Sequence, residues 1–307
     1  MKTAFLFPGQ GSQYVGMGKD FYERFDISKE IFETADKEIT DIKISDICFN
    51  GPQETLKLTE NAQPAILTTS FAIFKVVQDI IKPDIVTGHS LGEYSALVAA
   101  GSISFSDAVK VVRKRGEFMK ESGNGTMAAI LNLSKEKVEE ICKEGSKIGL
   151  VTPSNFNSPD QIVVSGEKAA VDKVCILAKE SGGRAIPLAV SGPFHSPLMK
   201  SASDKLENEL AKVQIVNPQI SFIANVTADY VRDGDTIKNL LVKQVVSPVL
   251  WEDTVYRMIN DGVDLFIEVG PGKVLSGLVR RIKKDAKVYN VENIKTLEGL
   301  ASFCKII

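Results

Sequence analysis

The sequence predicts an α/β protein with a largely parallel sheet and a smaller ferredoxin-like domain inserted into it. Strand-like apolar runs alternate with amphipathic, helix-like segments along the first part of the chain, and this alternation is typical of parallel sheets with helices on their faces. From residue 126 to residue 190 the order becomes strand, helix, strand, strand, helix, strand. This βαββαβ order defines the ferredoxin-like unit.

Each element follows from its local pattern, since short apolar runs predict buried strands and an apolar period of three to four residues predicts helices. In the larger domain we expect a strand at 3–7, a helix near 61–81, a strand at 83–87, a helix at 93–100 and a helix at about 106–120. In the inserted unit we expect strands at 126–133, 148–155, 161–165 and 183–190, with helices at 135–144 and 167–181. These elements predict a small domain at residues 124–190, a discontinuous large domain at residues 1–123 and 191–307, and a substrate cleft between them.

The composition excludes several classes of partner. The chain has 307 residues, 44% hydrophobic and 25% charged, with a formal net charge of −2. This balance gives no general attraction to nucleic acid or to an anionic membrane, so we expect neither. The four cysteines lack Cys-x-x-Cys spacing, which suits a reducing compartment and offers no metal site. Because no apolar run resembles a signal peptide or approaches the roughly 20 residues of a membrane span, we expect a cytoplasmic location.

A candidate nucleophile lies in the pentapeptide Gly88-His89-Ser90-Leu91-Gly92. The predicted strand before it and the helix after it match a nucleophile elbow, in which a strained turn exposes a serine. The flanking glycines let strand and helix approach closely. A plain glycine-bounded turn is the alternative, but the strand and helix on either side favour a nucleophilic Ser90.

His195 is the predicted general base. A serine hydroxyl needs a base within hydrogen-bond reach, most often an imidazole, and the only histidines are His89 and His195. His89 directly precedes Ser90 and should point away from its side chain. Ser196 can cap a helix that starts at Pro197, and the positive end of that helix would keep His195 neutral. A structural histidine ahead of a helix is the alternative.

The acid of a catalytic triad is missing from the pattern. An ordinary serine hydrolase places an acid between the serine and the histidine in chain order, where it orients the imidazole. Acidic residues are numerous between Ser90 and His195, but none lies in a recognisable strand-end turn. This observation weakens a simple hydrolase interpretation.

Arg115 is a candidate for binding an anion. On the predicted helix at 106–120 it shares a face with apolar residues such as Val111, Val112 and Phe118, so we expect it to be buried. A buried arginine is costly unless an anion pairs with it, and guanidinium binds a carboxylate through two parallel hydrogen bonds. The sequence leaves open whether that carboxylate belongs to the protein or to a substrate.

The loop after the first strand is a candidate for one side of an oxyanion hole. It reads Phe7-Pro8-Gly9-Gln10-Gly11-Ser12-Gln13 and fails the dinucleotide fingerprint, because Tyr14 occupies the third glycine position. The N–H of Leu91, which follows the serine, would supply one donor, and the N–H of Gln10 is our candidate for the second. A plain turn is the alternative.

Five motifs occur in order along essentially the whole chain. They are Phe7-Pro8-Gly9-Gln10-Gly11-Ser12-Gln13, Gly88-His89-Ser90-Leu91-Gly92-Glu93-Tyr94, Arg115-Gly116-Glu117-Phe118-Met119, Gly192-Pro193-Phe194-His195-Ser196 and Glu268-Val269-Gly270-Pro271-Gly272-Lys273. Together they resemble the malonyl-CoA:acyl carrier protein transacylases of fatty acid synthesis. The resemblance implies an α/β-hydrolase-like large domain with an inserted ferredoxin-like (βαββαβ) small domain and an active site between them.

The resemblance also implies a role for each matching position in the reaction. Ser90 would carry the malonyl ester, and His195 would be the base. The backbone carbonyl of Gln244 would orient the histidine in place of an acid, which would explain the missing triad member. Arg115 would bind the free carboxylate of the malonyl group.

Three further positions concern the oxyanion and the acyl group. The N–H groups of Gln10 and Leu91 would form the oxyanion hole. Phe194 resembles the aromatic position seen where malonyl is preferred over branched extender units.

The function implied by the resemblance is a ping-pong transfer of malonyl from malonyl-CoA to the phosphopantetheine thiol of acyl carrier protein, supplying extender units for fatty acid synthesis. These two molecules are the expected partners. No metal or other cofactor is expected, because the phosphopantetheine belongs to the carrier protein. The oligomeric state is left open, with a monomer as one option.

Three alternatives remain at this level. A discrete acyltransferase that loads polyketide synthase carrier proteins would share every residue named above. A serine thioester hydrolase would release the acyl group to water. A non-catalytic carrier-binding module would have no use for Ser90, His195 and Arg115.

Overall fold

Strands and helices alternate through most of the chain in the computed structural model, which describes residues 1–122, 124–190 and 192–305. The strands are β1 (Thr3–Phe7), β2 (Ile85–Gly88), β3 (Thr126–Leu131), β4 (Val151–Ser158), β5 (Gln161–Gly166), β6 (Arg184–Pro187), β7 (Ser221–Ala224), β8 (Asp229–Val231), β9 (Leu265–Val269) and β10 (Lys287–Val291). The α-helices are α1 (Lys19–Arg24), α2 (Asp26–Glu38), α3 (Ile44–Phe49), α4 (Gln53–Leu56), α5 (Thr59–Val77), α6 (Gly92–Ala99), α7 (Phe105–Glu121), α8 (Lys135–Gly145), α9 (Lys168–Glu180), α10 (Lys200–Leu210), α11 (Gly234–Gln244), α12 (Trp251–Asn260), α13 (Val274–Ile282) and α14 (Ile294–Cys304). A 3₁₀ helix spans Pro197–Met199.

The larger sheet has six strands in the order β10-β9-β1-β2-β7-β8. Neighbouring strands from β10 to β7 are parallel, and the edge strand β8 runs antiparallel to β7. Because β1, β2 and β9 lie side by side and run in the same direction, the loops that follow them emerge at one edge of the sheet. Ligands of open α/β sheets bind at this carboxyl edge.

Apolar packing covers both faces of the large sheet. Phe5 and Phe7 of β1 belong to the largest apolar cluster, whereas Ala4 and Leu6 belong to a second cluster on the opposite face. A strand buried on both faces reads as a continuous apolar run instead of an alternating one. This explains why β1 could be read from sequence as an unbroken apolar segment.

The smaller sheet is antiparallel and has the order β4-β5-β3-β6. Ala128 and Ile130 of β3 form one cluster with α8 and α9, while Met127 and Ala129 of the same strand belong to the largest cluster. One face of the small sheet is therefore covered by its own two helices. The other face continues the core of the large domain.

The predicted fold class is confirmed: an α/β-hydrolase-like large domain carries an inserted ferredoxin-like βαββαβ unit. The predicted strands and helices are present, each within four residues of its predicted ends. The domain division at 123/124 and 190/191 stays a prediction, because residues 123 and 191 lie outside the described residues. In the described ranges, every helix is too short or too polar to cross a membrane.

Candidate active site

Ser90 lies in a sharp turn between β2 and α6. Its backbone has a φ of 52°, a left-handed conformation that is unfavourable for a residue with a Cβ. A Cβ on Gly88 would lie 2.1 Å from the backbone carbon of Gly92, and a Cβ on Gly92 would lie 2.0 Å from the carbonyl oxygen of Phe7. Only glycine fits at these two positions, so the turn has the geometry of a nucleophile elbow.

Asn225 holds the elbow from the neighbouring strand. Its side-chain oxygen accepts a hydrogen bond from the N–H of Ser90 at 2.7 Å, and its side-chain nitrogen donates to the carbonyl of Gly88 at 2.7 Å. Asn225 is fully buried just after β7. Sequence reasoning missed this residue, because no local motif marks it and its partners are more than a hundred residues away.

His195 lies against the Ser90 hydroxyl. Its Nε2 is 2.7 Å from Ser90 Oγ, and its Nδ1 is 2.8 Å from the backbone carbonyl oxygen of Gln244. Because a carbonyl oxygen can only accept, Nδ1 must carry the proton, and Nε2 is then free to accept from the serine. A carbonyl therefore occupies the place that an acid holds in a triad.

The imidazole of His195 is buried, and this burial lowers its pKa to about 3, with the nearby charge of Arg115 acting in the same direction. The predicted capping contact is wrong: the Ser196 hydroxyl donates to the carbonyl of Pro193 at 2.6 Å, and Pro197 begins a three-residue 3₁₀ helix ahead of α10. His195 is thus kept neutral chiefly by burial and by a neighbouring cation.

His89 faces away from the serine side chain. Its Nε2 is 2.9 Å from the side-chain oxygen of Asn157, and its ring centroid is 5.7 Å from that of Trp251. His89 therefore takes no part in the contact between the side chains of Ser90 and His195. The sequence argument that separated the two histidines therefore agrees with the geometry.

Arg115 projects from α7 into the same site and is only 2% exposed. Its Nη1 donates to Gln63 Oε1 at 2.7 Å, and its Nη2 donates to Gln244 Oε1 at 2.9 Å and to Ser90 Oγ at 3.0 Å. Within the described residues, no carboxylate oxygen forms an ion pair with this guanidinium, whose partners are two amides and a hydroxyl. The described part of the chain thus places a buried cation beside the serine and gives it no paired anion.

Gln63 was not anticipated from the sequence. It lies on α5 and is fully buried. A weak signal was present: a glutamine falls within an otherwise largely apolar segment of a buried helix. Which cation it would meet could not be read from that segment.

The loop after β1 packs directly on the elbow. A Cβ on Gly9 would lie 2.4 Å from the carbonyl oxygen of His89, and the Ser12 hydroxyl fixes the loop by donating to the Gly9 carbonyl at 2.8 Å. The backbone N–H groups of Gln10 and Leu91 donate no hydrogen bond to other described residues. Both N–H groups are therefore free to donate to a ligand, as an oxyanion hole requires.

Phe194, directly before His195, is 6% exposed and belongs to the apolar cluster that also contains Met127 and Val163 of the small sheet. Phe194 is therefore part of the apolar core, and its predicted role in acyl-group selection stays a prediction.

Glu93 is a buried carboxyl beside these groups. Its side chain accepts from the backbone N–H of Asn225 and from Gln244 Nε2. Burial raises the pKa of Glu93, and its two N–H donors and the charge of Arg115 act in the opposite direction. Sequence reasoning recognised Glu93 only as part of a motif.

A family model described as "Acyl transferase domain" matches residues 4–300. The chain therefore belongs to the acyl transferase family. The malonyl CoA-acyl carrier protein transacylase of Bacillus subtilis (strain 168) is 50% identical over 303 residues, covering 97% of this chain and 95% of the relative. The enzyme of that name from Staphylococcus aureus (strain MSSA476) is 44% identical, with coverages of 97% and 98%.

Solved structures give the same result. The malonyl CoA-acyl carrier protein transacylase from Clostridium perfringens superposes with a TM-score of 0.96 at 46% identity, covering 100% of this chain and 98% of that one. A malonyl-transacylase in complex with a type II PKS acyl-carrier protein superposes with a TM-score of 0.95 at 38% identity, covering 99% and 100%. The predicted resemblance to the malonyl-CoA:acyl carrier protein transacylases is confirmed.

Proposed function

We propose that this protein transfers the malonyl group from malonyl-CoA to the phosphopantetheine thiol of acyl carrier protein through a malonyl ester on Ser90. One observation carries the proposal: Arg115, a buried cation with no paired anion among the described residues, donates to Ser90 Oγ at 3.0 Å. A substrate that is attacked by Ser90 and carries a carboxylate close to its reacting carbonyl satisfies both groups. The relatives' names support the same substrate pair.

In the first half of the reaction, Ser90 Oγ attacks the thioester carbonyl of malonyl-CoA while His195 Nε2 takes the serine proton. The developing oxyanion accepts hydrogen bonds from the N–H groups of Gln10 and Leu91. The intermediate collapses by breaking the carbon–sulfur bond, and the imidazolium returns its proton to the sulfur of CoA. The product is malonyl-Ser90.

In the second half, the phosphopantetheine thiol gives its proton to His195 and attacks the ester carbonyl. The carbon–oxygen bond breaks, and Ser90 Oγ recovers the proton from the imidazolium. The malonyl group leaves as a thioester of the carrier protein. The transfer uses no metal or redox cofactor, because its only carrier group belongs to the second substrate.

The environment of His195 suits this exchange. The Gln244 carbonyl fixes the Nδ1–H tautomer but brings no negative charge to stabilise an imidazolium. The base therefore holds its proton only briefly. A weak base is adequate because thiolates are much better leaving groups than the amines released by a peptidase.

Arg115 accounts for the preference for malonyl over acetyl. A malonyl carboxylate pairs with the buried guanidinium, whereas an acetyl group leaves it unpaired. A site built for a polar group rejects an analogue that lacks it, because the buried polar atoms of the site are then unsatisfied.

A polyketide carrier protein is the second candidate for the acceptor. The observation in its favour is the likeness to a malonyl-transacylase in complex with a type II PKS acyl-carrier protein. The acceptor changes neither half of the chemistry. Parallel assays with a fatty acid carrier protein and a polyketide carrier protein distinguish the two.

The test is to incubate the protein with malonyl-CoA or acetyl-CoA in the absence of acceptor, and to follow intact mass and free CoA. We expect one malonyl adduct per chain, absent from Ser90→Ala, scarce with acetyl-CoA, and discharged on addition of holo acyl carrier protein. Continuous CoA release without acceptor would identify a thioester hydrolase. No adduct with either thioester would leave only a carrier-binding module.

A further inference from the structure

Gln244 contacts three of the groups named in the proposed reaction. Its backbone carbonyl accepts from His195 Nδ1 at 2.8 Å, its side-chain oxygen accepts from Arg115 Nη2 at 2.9 Å, and its side-chain nitrogen donates to the Ser90 carbonyl at 3.0 Å. The residue is fully buried at the end of α11. The orientation of one amide group therefore affects the nucleophile and the cation together.

The Gln244 amide can accept a hydrogen bond from Arg115 in one orientation only. With the oxygen toward the guanidinium, every contact pairs a donor with an acceptor. If the amide is reversed, its NH₂ group faces the guanidinium, and two donors are then buried against each other. The Ser90 carbonyl favours the same orientation, because it can only accept from the Gln244 nitrogen.

Glu93 adds a second acceptor for the same nitrogen. One of its carboxylate oxygens accepts from Gln244 Nε2, and the other accepts from the backbone N–H of Asn225. Glu93 is 1% exposed and has no ion pair among the described residues. In its ionised form, Glu93 offers only acceptors toward these partners, which directs the Gln244 nitrogen to Glu93 and the oxygen to Arg115.

We propose that Glu93 is a positioning residue for malonyl selection, because its carboxylate orients the Gln244 amide so that its oxygen holds Arg115 beside Ser90. This inference rests on the proposed function. Glu93 touches neither the substrate nor the reacting atoms in this arrangement. It acts through Gln244, and its second contact ties Asn225 and the elbow to the same carboxylate.

Replacing the carboxylate with an amide tests the inference with little change in shape. In Glu93→Gln, the new side-chain oxygen can accept from the fixed Asn225 N–H, which leaves its NH₂ group facing Gln244 Nε2. The Gln244 amide cannot reverse without placing its oxygen against the Ser90 carbonyl, so it shifts away from residue 93 and weakens its contact with Arg115. Loss of one hydrogen bond to a charged group corresponds to about 10- to 100-fold in rate.

The experiment measures kcat/KM for acyl-enzyme formation with malonyl-CoA and with acetyl-CoA. Its variants are Glu93→Gln, Gln244→Ala, the double variant and Glu268→Gln. Glu268 is the matched control, since it is a fully buried glutamate whose oxygens accept from the Leu275 and Ser276 N–H groups. Gln244→Ala removes the amide but keeps the backbone carbonyl that contacts His195.

We expect Glu93→Gln to lose kcat/KM for malonyl-CoA about 10- to 100-fold, with a much smaller loss for acetyl-CoA. Gln244→Ala should show the same pattern. The loss in the double variant should be little larger than in either single variant. Glu268→Gln should keep the wild-type ratio of malonyl to acetyl activity. Additive losses in the double variant, or equal losses for both thioesters, would overturn the proposal.

The variants also separate folding from positioning. If Glu93→Gln does not fold, Gln244→Ala still decides the matter, because unchanged malonyl selectivity in that variant contradicts the role of the amide. The wild-type enzyme serves as the reference for the reaction itself. If it forms no malonyl adduct, the proposed function fails, whereas normal transfer with unaltered selectivity in the variants refutes only the inference about Glu93.

Discussion

Arg115 Nη2 donates a hydrogen bond to Ser90 Oγ at 3.0 Å, so the buried cation touches the serine hydroxyl directly. A carboxylate bound to this guanidinium therefore lies close to the serine oxygen. An acyl group that spans the two must be short. In malonyl, one methylene separates the carboxylate from the reacting carbonyl, which matches this geometry.

Arg115→Ala should reduce kcat/KM for malonyl-CoA by about 30-fold or more, since truncating one partner of a buried charged pair costs roughly 2–5 kcal/mol. The activity with acetyl-CoA should fall far less or rise, because an unpaired buried charge is removed from the site. Acyl-enzyme formation with both thioesters measures this ratio. Equal losses with both substrates would contradict a role for Arg115 in carboxylate binding.

Chain length of the acyl group gives a second prediction. Succinyl-CoA carries one more methylene than malonyl-CoA, so its carboxylate and carbonyl cannot reach Arg115 and Ser90 together without buckling. We expect its acyl-enzyme to form more slowly by about 10-fold or more, as a misplaced methylene costs roughly 1–3 kcal/mol. Comparable rates for the two thioesters would show that the acyl site is longer than the Arg115–Ser90 contact implies.

The pH dependence should show no loss of base function near neutrality. An ordinary histidine, with a pKa of about 6.5, would be mostly protonated at pH 5.5, whereas burial and Arg115 lower the pKa of His195 to about 3. His195 thus stays neutral and able to accept a proton down to about pH 4. A profile of kcat/KM for malonyl-CoA from pH 5 to 8 measures this, because it reports the free enzyme. A midpoint near 6.5 would contradict it.

Asn225→Ala should destabilise the protein by about 1–3 kcal/mol, because it leaves the part-buried Ser90 N–H and the buried Gly88 carbonyl without these partners. Urea unfolding measures this change. Asn225→Asp should also destabilise the protein, since it keeps an acceptor for the Ser90 N–H but places a buried carboxylate against the Gly88 carbonyl and beside Glu93. A wild-type unfolding midpoint for Asn225→Ala would show that the elbow holds its shape without this side chain.

Gly92→Ala should be strongly destabilising, since the added Cβ would lie 2.0 Å from the Phe7 carbonyl oxygen. Gly277→Ala on α13 is the matched control. Nothing lies within 4 Å of a Cβ at that position, so the substitution should stabilise the helix by up to about 1 kcal/mol. Thermal unfolding of the two variants should move in opposite directions. A tolerated Gly92→Ala would mean that β1 and α6 can separate.

The local sequence pattern was sufficient to predict much of the fold. The uninterrupted apolar run of β1 indicates a strand buried on both faces, and the βαββαβ order indicates the small domain without any knowledge of what it packs against. The amphipathic stripe of α7 similarly indicates that Arg115 is buried. Ser196 shows the limit of such reasoning, since a local capping rule predicted a contact that its hydroxyl makes elsewhere.

The sequence by itself determined the residue types of the site, because a serine between glycines, a lone available histidine and an arginine on an apolar face are visible along the chain. The tertiary structure decided their connections. Ser90 contacts His195 and Arg115, and Asn225 and Gln244 contact Ser90 from more than a hundred residues away. Periodicity and motif spacing report only local conformation, whereas hydrogen bonds between distant segments depend on how the sheets pack. For that reason Gln63, Asn225 and the side-chain contacts of Gln244 and Glu93 emerged only from the three-dimensional arrangement.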